Sequence, residues 1–266
     1  MSEISISAVK FTRLLDYMQR VGLDVDAVAA RVNLVPSRLF ALQPDQPLPA
    51  QQYSRLYREA VQQMQTLKQP IPWAAGVGSE AFELMCHCVI SAKTLGDALR
   101  LAQRYDHLLY PMIGYKVLLL DEGESGTVKL AYRINVREGN SSLVPEDWDR
   151  AGYQATAARA SGLMVWHAFC GWLTGLPVEA EELQVAAPAI SPEYTRGLGT
   201  VFRCPIQFDA VENTFSFDRS TLERRVVQTA ASLEEFLHNS VYHLIAMERE
   251  PASTSSAIKS LVSIDL

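Results

Sequence analysis

The sequence predicts an α+β fold. A helical N-terminal subdomain is expected to pack on a roughly five-stranded antiparallel or mixed sheet that helices cover on one face. Three observations lead there. Apolar residues recur at helical spacing as far as about Leu67. From Tyr115 the apolar period changes to two. Between two hairpin-like segments lies one long, mostly apolar stretch, Pro145–Gly175, which reads as a single buried helix.

Residues from Ser7 to about Leu67 read as helices only. Val9, Leu14, Leu15, Met18 and Val21 mark the first, which Gly22 stops. Short helices over Asp24–Ala30 and Ser37–Leu42 flank a turn at Asn33–Pro36. After a loop with Pro44, Pro47 and Pro49, Gln51–Leu67 is amphipathic, with Tyr53, Leu56, Tyr57, Ala60 and Met64 on one face. Within this region Val25–Phe40 has the outline of a helix-turn-helix. Its second helix offers Arg38 almost alone for reading bases, with acidic Asp45 close behind, so a packed helical corner is the favoured reading.

Gly76–Ser79 is expected in a loop and Phe82–Ile90 in a helix. Thr94 caps the next helix, which carries Leu95, Leu99, Ala102, Tyr105 and Leu109 on one side and ends at Pro111. Tyr115–Glu122 and Thr127–Ile134 form a hairpin. In the long segment, Pro145, Glu146 and Asp147 suit a first helical turn, and Gly175 with Pro177 stops it. Its first half is small (Ala151, Gly152, Ala155, Ala158, Gly162) and its second large (Trp166, Phe169, Trp172), as befits a spine lying against a sheet. Arg159 is a lone charge there, expected to face solvent or find a carboxylate. Glu181–Pro188 is a third strand and Ser191–Gly199 a short helix. Cys204–Ala210 and Thr214–Ser220 read as a second hairpin, and Ser232–Glu248 as a final helix with Ser232 and Glu235 in a capping box. The organisation expected is therefore a helical subdomain over residues 1–70, an α+β core over 71–248 and a polar linker over 249–256. A further, truncated domain would begin at 257–266.

The chemistry is bounded as much by what is missing. Among 266 residues, 48% hydrophobic and 20% charged, the net charge is −6, against the positive balance of a chain that grips a phosphate backbone. No signal peptide is expected from the first residues, and no apolar run reaches membrane-spanning length. With four cysteines and no disulfide framework, a reducing cytoplasm is the expected location. Cys86-His87-Cys88 would put its two thiols on nearly opposite faces of a helix, so no metal site is expected. No nucleotide loop, nucleophile elbow or paired acid and base emerges either; the reading is a non-enzyme without a cofactor. What remains is a polar-aromatic set: Trp166, His167 and Cys170 on the spine, with Tyr105 and Tyr110 on the preceding helix. A packed core accounts for any one of them alone. If a small molecule sits between spine and sheet, these residues are expected to line its site.

Several segments together resemble one family: Thr94–Leu109 (TLGDALRLAQRYDHLL), the WLTG ending at Trp172–Gly175, and Val201–Arg225 with its F-x-C-P-I-x-F and N-x-F-x-F elements. They are similar to the effector-sensing N-terminal domain of AraC-type transcriptional regulators, in the arabinose-binding-like subgroup. Met85–Ala92 (MCHCVISA) departs from the blander helix of relatives. The resemblance implies a small-molecule effector, homodimerisation, and promoter DNA bound through a C-terminal helix-turn-helix domain whose first helix the fragment Ser256–Leu266 resembles. The function expected is thus ligand sensing and dimerisation for a regulator of transcription. Two alternatives stand beside it: direct DNA contact by residues 25–40, and a small-molecule-binding protein with no transcriptional role.

Overall fold

The computed structural model describes residues 4–67, 74–120, 126–135 and 153–249, with the side chains of the last three left out of the description. The expected helix start at Pro145–Asp147, the residues between the two strands of the first hairpin as far as Ser125, the linker from residue 250 on and residues 257–266 lie outside them.

The N-terminal region, expected to be a helical subdomain, also contains a two-stranded ribbon. β1 (Ser5–Ser7) pairs antiparallel with β2 (Pro47–Pro49). Prolines lack an N–H, and a two-stranded ribbon leaves one side of each strand unpaired, so Pro47 and Pro49 cost little there. The ribbon ties together the ends of a helical group: α1 (Ala8–Arg20), α2 (Val25–Arg31), α3 (Pro36–Phe40) and α4 (Ala50–Thr66). Gly22, at φ 80°, follows α1 as the sequence predicts. α3 has only five residues; Leu39 is buried in the corner and Arg38 is exposed.

A short 3-10 turn (Ala74–Gly76) leads into α5 (Glu80–Val89) and then α6 (Leu95–Ile113). Thr94 caps α6, its hydroxyl accepting from Asp97 N at 3.2 Å. Replacing Thr94 with alanine should cost about 1 kcal/mol, read as a lower urea midpoint with unchanged slope. The helix does not stop at Pro111. It runs on to Ile113 and ends where Gly114, at φ 75°, donates its N–H to Tyr110 O. One lost N–H in the last turn is tolerated, and a left-handed glycine is the stronger terminator.

The sheet order is β3-β4-β7-β5-β6, formed by β3 (Tyr115–Leu120), β4 (Thr127–Ile134), β5 (Ala180–Gln184), β6 (Ile206–Gln207) and β7 (Thr214–Asp218). The β3–β4 hairpin agrees with the sequence. The second hairpin does not form. β6 pairs parallel with β5 at the edge, joined to it through α8 (Pro192–Phe202), which follows the spine helix α7 (Gln154–Thr174), while β7 passes between β5 and β4 and is antiparallel to both. Central placement suits β7, whose Phe215 and Phe217 are 0% exposed. The opposite edge is closed differently. The outward N–H groups of Val117 and Leu119 on β3 donate to Asp106 Oδ2 and Gln103 Oε1 of α6, each at 2.9 Å, so the helix seals a strand edge that would otherwise be open.

The spine helix α7 is described over Gln154–Thr174, ending at Gly175 in the left-handed region. Tyr132 and Phe215 meet it, and the register Leu130↔Phe215 and Val128↔Phe217 puts those side chains on the same face. Its other side carries Phe169 and Trp172 to Phe236; the Trp172 and Phe236 rings stack at 4.1 Å. Phe236 belongs to α9 (Ala230–His238), which is followed after Asn239 by α10 (Ser240–Arg249). The final helix of the sequence reading is thus two, and its capping box is Thr229 with Ser232: Ser232 N donates to Thr229 Oγ1 at 3.2 Å and Thr229 N to Ser232 Oγ at 2.8 Å. Ser232 occupies the third helical position, the place a capping glutamate would hold, so Glu235 is left outside. α10 packs on both α7 and α4 and joins the helical group to the spine.

Candidate functional site

The five aromatic and polar residues singled out from the sequence separate into different surroundings. His167 lies between Phe202 and Phe215, with ring centroids 4.8 and 5.5 Å away. Its Nε2 is 2.8 Å from Val178 O. A carbonyl only accepts, so Nε2 carries the proton; burial lowers the pKa, and the ring is neutral with a bare Nδ1. Cys170 is 0% exposed and its thiol is pushed up to about 12, which makes it inert as a nucleophile. Trp166 is buried against Phe169, its Nε1 without a hydrogen-bond partner among the described residues. Tyr110 stands apart at the end of α6, under Lys116 Nζ at 4.6 Å from the ring centroid. Arg159 is half-buried, and none of the ion pairs among the described residues includes it.

Tyr105 belongs to a second group that sequence reasoning did not assemble. Its neighbour Asp106 is 2% exposed, and burial drives that carboxyl up to about 7 despite the N–H of Val117. Tyr115 and Tyr132 stand on the same face of β3 and β4 as diagonal neighbours, since Tyr132 pairs with Val117 and Tyr115 with Ile134, their rings 6.1 Å apart. The Tyr115 hydroxyl reaches Ser79 and lies against Gly76, where a Cβ would be 2.2 Å from Oη. The Tyr132 ring lies on Gly162 of the spine, where a Cβ would be 2.0 Å from Cε1. Its hydroxyl faces the Ala75 backbone without a hydrogen bond of good geometry.

The floor of this group is the turn before α5. Ala74 and Ala75 both have φ 49°, and Gly76 and Gly78 follow at 67° and 80°. Left-handed backbone at alanine costs on the order of 1 kcal/mol each, and such strain persists where surrounding structure holds it. Here Ala74 N donates to Ser161 Oγ of the spine at 3.1 Å. Asn213 braces the far side, its Nδ2 donating to Tyr132 O at 3.1 Å and to Arg159 O at 3.3 Å. The glycines and the period-two placement of Tyr115 and Tyr132 are visible in the sequence; that they meet is not.

Among the described residues no group of His, Cys, Asp and Glu could hold a metal ion, and no helix is long and apolar enough to cross a membrane. With a neutral core histidine and an inert thiol, the aromatic set on the spine has no activated nucleophile. What the geometry offers is a buried interior of phenols and one carboxyl, walled by glycines and a strained turn.

Residues 22–226 match the family model described as the arabinose-binding domain of AraC transcription regulators, N-terminal. That is more than half of the chain. The chain belongs to this family. The AraC-type family consists of transcription regulators, which fits the α+β architecture and the sequence motifs around Thr94 and Val201. Among solved structures, the transcriptional regulator CdpR from Pseudomonas aeruginosa is similar at 16% identity and a TM-score of 0.42, with 96% of this chain and 70% of that chain covered. No curated protein matches the chain.

Proposed function

We propose that the chain is the effector-sensing and dimerising part of an AraC-type regulator. It binds a small molecule between spine and sheet in the cytoplasm and works without catalysis or cofactor. The family match over residues 22–226 carries this reading. The buried polar cluster between α6, β3, β4 and α7 supports it, because orphaned hydroxyls in a core call for a partner that comes and goes. Trp166, His167, Cys170, Tyr105 and Tyr110 stand in this proposal as ligand contacts, joined by Asp106, Tyr115 and Tyr132. The effector would act by preferring one of two arrangements of α6 and the spine, biasing how a C-terminal domain meets promoter DNA.

Two measurements on the 266-residue chain test the division of labour. Sedimentation should give a dimer, and a gel shift with promoter DNA should give no sequence-specific complex at physiological salt. Specific DNA binding by this chain, or a monomer at all concentrations, would overturn the corresponding half of the reading.

A further inference from the structure

Helix α6, the β3–β4 hairpin and the turn at 74–79 bring one carboxyl and three phenols into the same interior, and among the described residues no cation comes with them. Asp106 is 2% exposed. Buried aspartates are ordinarily paired, yet among the described residues no lysine or arginine acts on this one. Sealing the edge of β3 does not explain the carboxyl. Three residues earlier the same helix does the same task for Leu119 N with a neutral amide, Gln103, at the same 2.9 Å. Position 106 therefore carries a charge that the fold does not need. Around it stand Tyr105, Tyr115 and Tyr132; among the described residues the Tyr105 hydroxyl is enclosed without a hydrogen-bond partner, the Tyr132 hydroxyl has only the Ala75 backbone before it, and Tyr132 is 0% exposed.

We propose that this cluster recognises the effector and that the effector carries a protonated amine, seated on the Asp106 carboxylate and donating its other N–H groups to the oxygens of Tyr105 and Tyr132. This rests on the sensor reading above and names the chemistry of its ligand. An ammonium has three donors and no acceptor, and the cluster supplies acceptors together with aromatic faces that attract a cation. A neutral hydroxylated ligand would use the phenols and leave the carboxyl uncompensated. An anion would be repelled by it.

The proton balance follows. Asp106 acts on Tyr105 of its own helix, Tyr115 on β3 and Tyr132 on β4, and Cys86 on α5 acts on Tyr105 and Tyr115; burial raises all four, so each is neutral near pH 7. Only the carboxyl changes charge there. When the cation enters, the proton on Asp106 leaves to buffer and the carboxylate pairs with the ammonium. Binding below pH 7 should release up to about one proton, visible as a dependence of the calorimetric heat on buffer ionisation enthalpy.

The test uses the full chain with n-butylamine and 1,4-diaminobutane as probes and 1-butanol as the neutral control, by thermal shift and calorimetry. Amines should raise the melting temperature and 1-butanol should not. Asp106→Asn should weaken amine binding at least about tenfold, since it removes the charge from a buried pair, and abolish proton release. Tyr132→Phe, which removes one oxygen and keeps the ring, should weaken it by several-fold, with circular dichroism unchanged in both. Amine binding that survives Asp106→Asn, or no amine binding at all, overturns the proposal. If a neutral compound co-purified with the chain, identified by native mass spectrometry, binds parent and Asp106→Asn alike, the amine fails and the sensor stands. Failure of the sensor reading looks different: no small molecule of any charge is bound.

Discussion

Gly162→Ala should destabilise the protein by on the order of 3 kcal/mol, the upper part of the usual range for forcing extra atoms into a packed core. The added methyl would sit 2.0 Å from Tyr132 Cε1, 2.4 Å from Cδ1 and 2.5 Å from Cζ, inside the ring rather than beside it. The ring has nowhere to go. Tyr132 is 0% exposed, held through its backbone by Asn213 and flanked by the tilted ring of Tyr115. The helix would otherwise welcome the change, since alanine is the better helix former by about 1 kcal/mol, so a net loss isolates the clash. Urea unfolding reads it, and a double variant with Tyr132→Ala decides its origin. Removing the ring should recover much of the loss, giving a coupling well outside additivity. A Gly162→Ala protein within 0.5 kcal/mol of the parent would mean that Tyr132 does not rest on the spine.

That contact also shows where the sequence stops being legible. Small residues in the first half of the spine announce a close approach, and the alternation of Tyr115–Leu120 and Thr127–Ile134 announces a hairpin, but neither says which ring meets which glycine. A contact between residues as far apart in the chain as Tyr132 and Gly162 is invisible in a single segment. The same reason hides β7. Thr214–Asp218 follows Ile206–Gln207 so closely that a hairpin is the natural reading, and only the burial demanded by Phe215 and Phe217 carries it into the centre of the sheet. Thr94 and Gly175 were readable because a cap and a stop act within one turn of chain. Asp106 lies at the other extreme. Beside Tyr105 on an amphipathic helix it reads as an ordinary solvated charge, and its burial follows from the edge of β3 lying against it.

Asp106 should therefore dominate the change of stability with pH between about 4 and 7. Its folded pKa of about 7 stands above the ordinary 3.8, so the native state holds a proton that the unfolded chain releases. The stabilisation linked to that proton is complete below about pH 4 and is lost as pH rises through 7. Three units correspond to about 4 kcal/mol, to be taken as an order of magnitude. His167 and His243 act in the opposite sense: burial lowers both, so they withdraw stability as pH falls below 6.5. The parent's curve mixes these terms. The difference between parent and Asp106→Asn removes the histidines and keeps the carboxyl. Asparagine can still accept from Val117 N, so the variant should track the parent below about pH 4, gain on it as pH rises towards 7, and be clearly the more stable of the two by pH 8. Parallel curves across that range would show that the carboxyl is already ionised and solvated in the folded protein. A cation bound at Asp106 would change the outcome in a defined way: it would stabilise the parent most above pH 7, where the carboxylate is free to receive it, and leave Asp106→Asn unmoved.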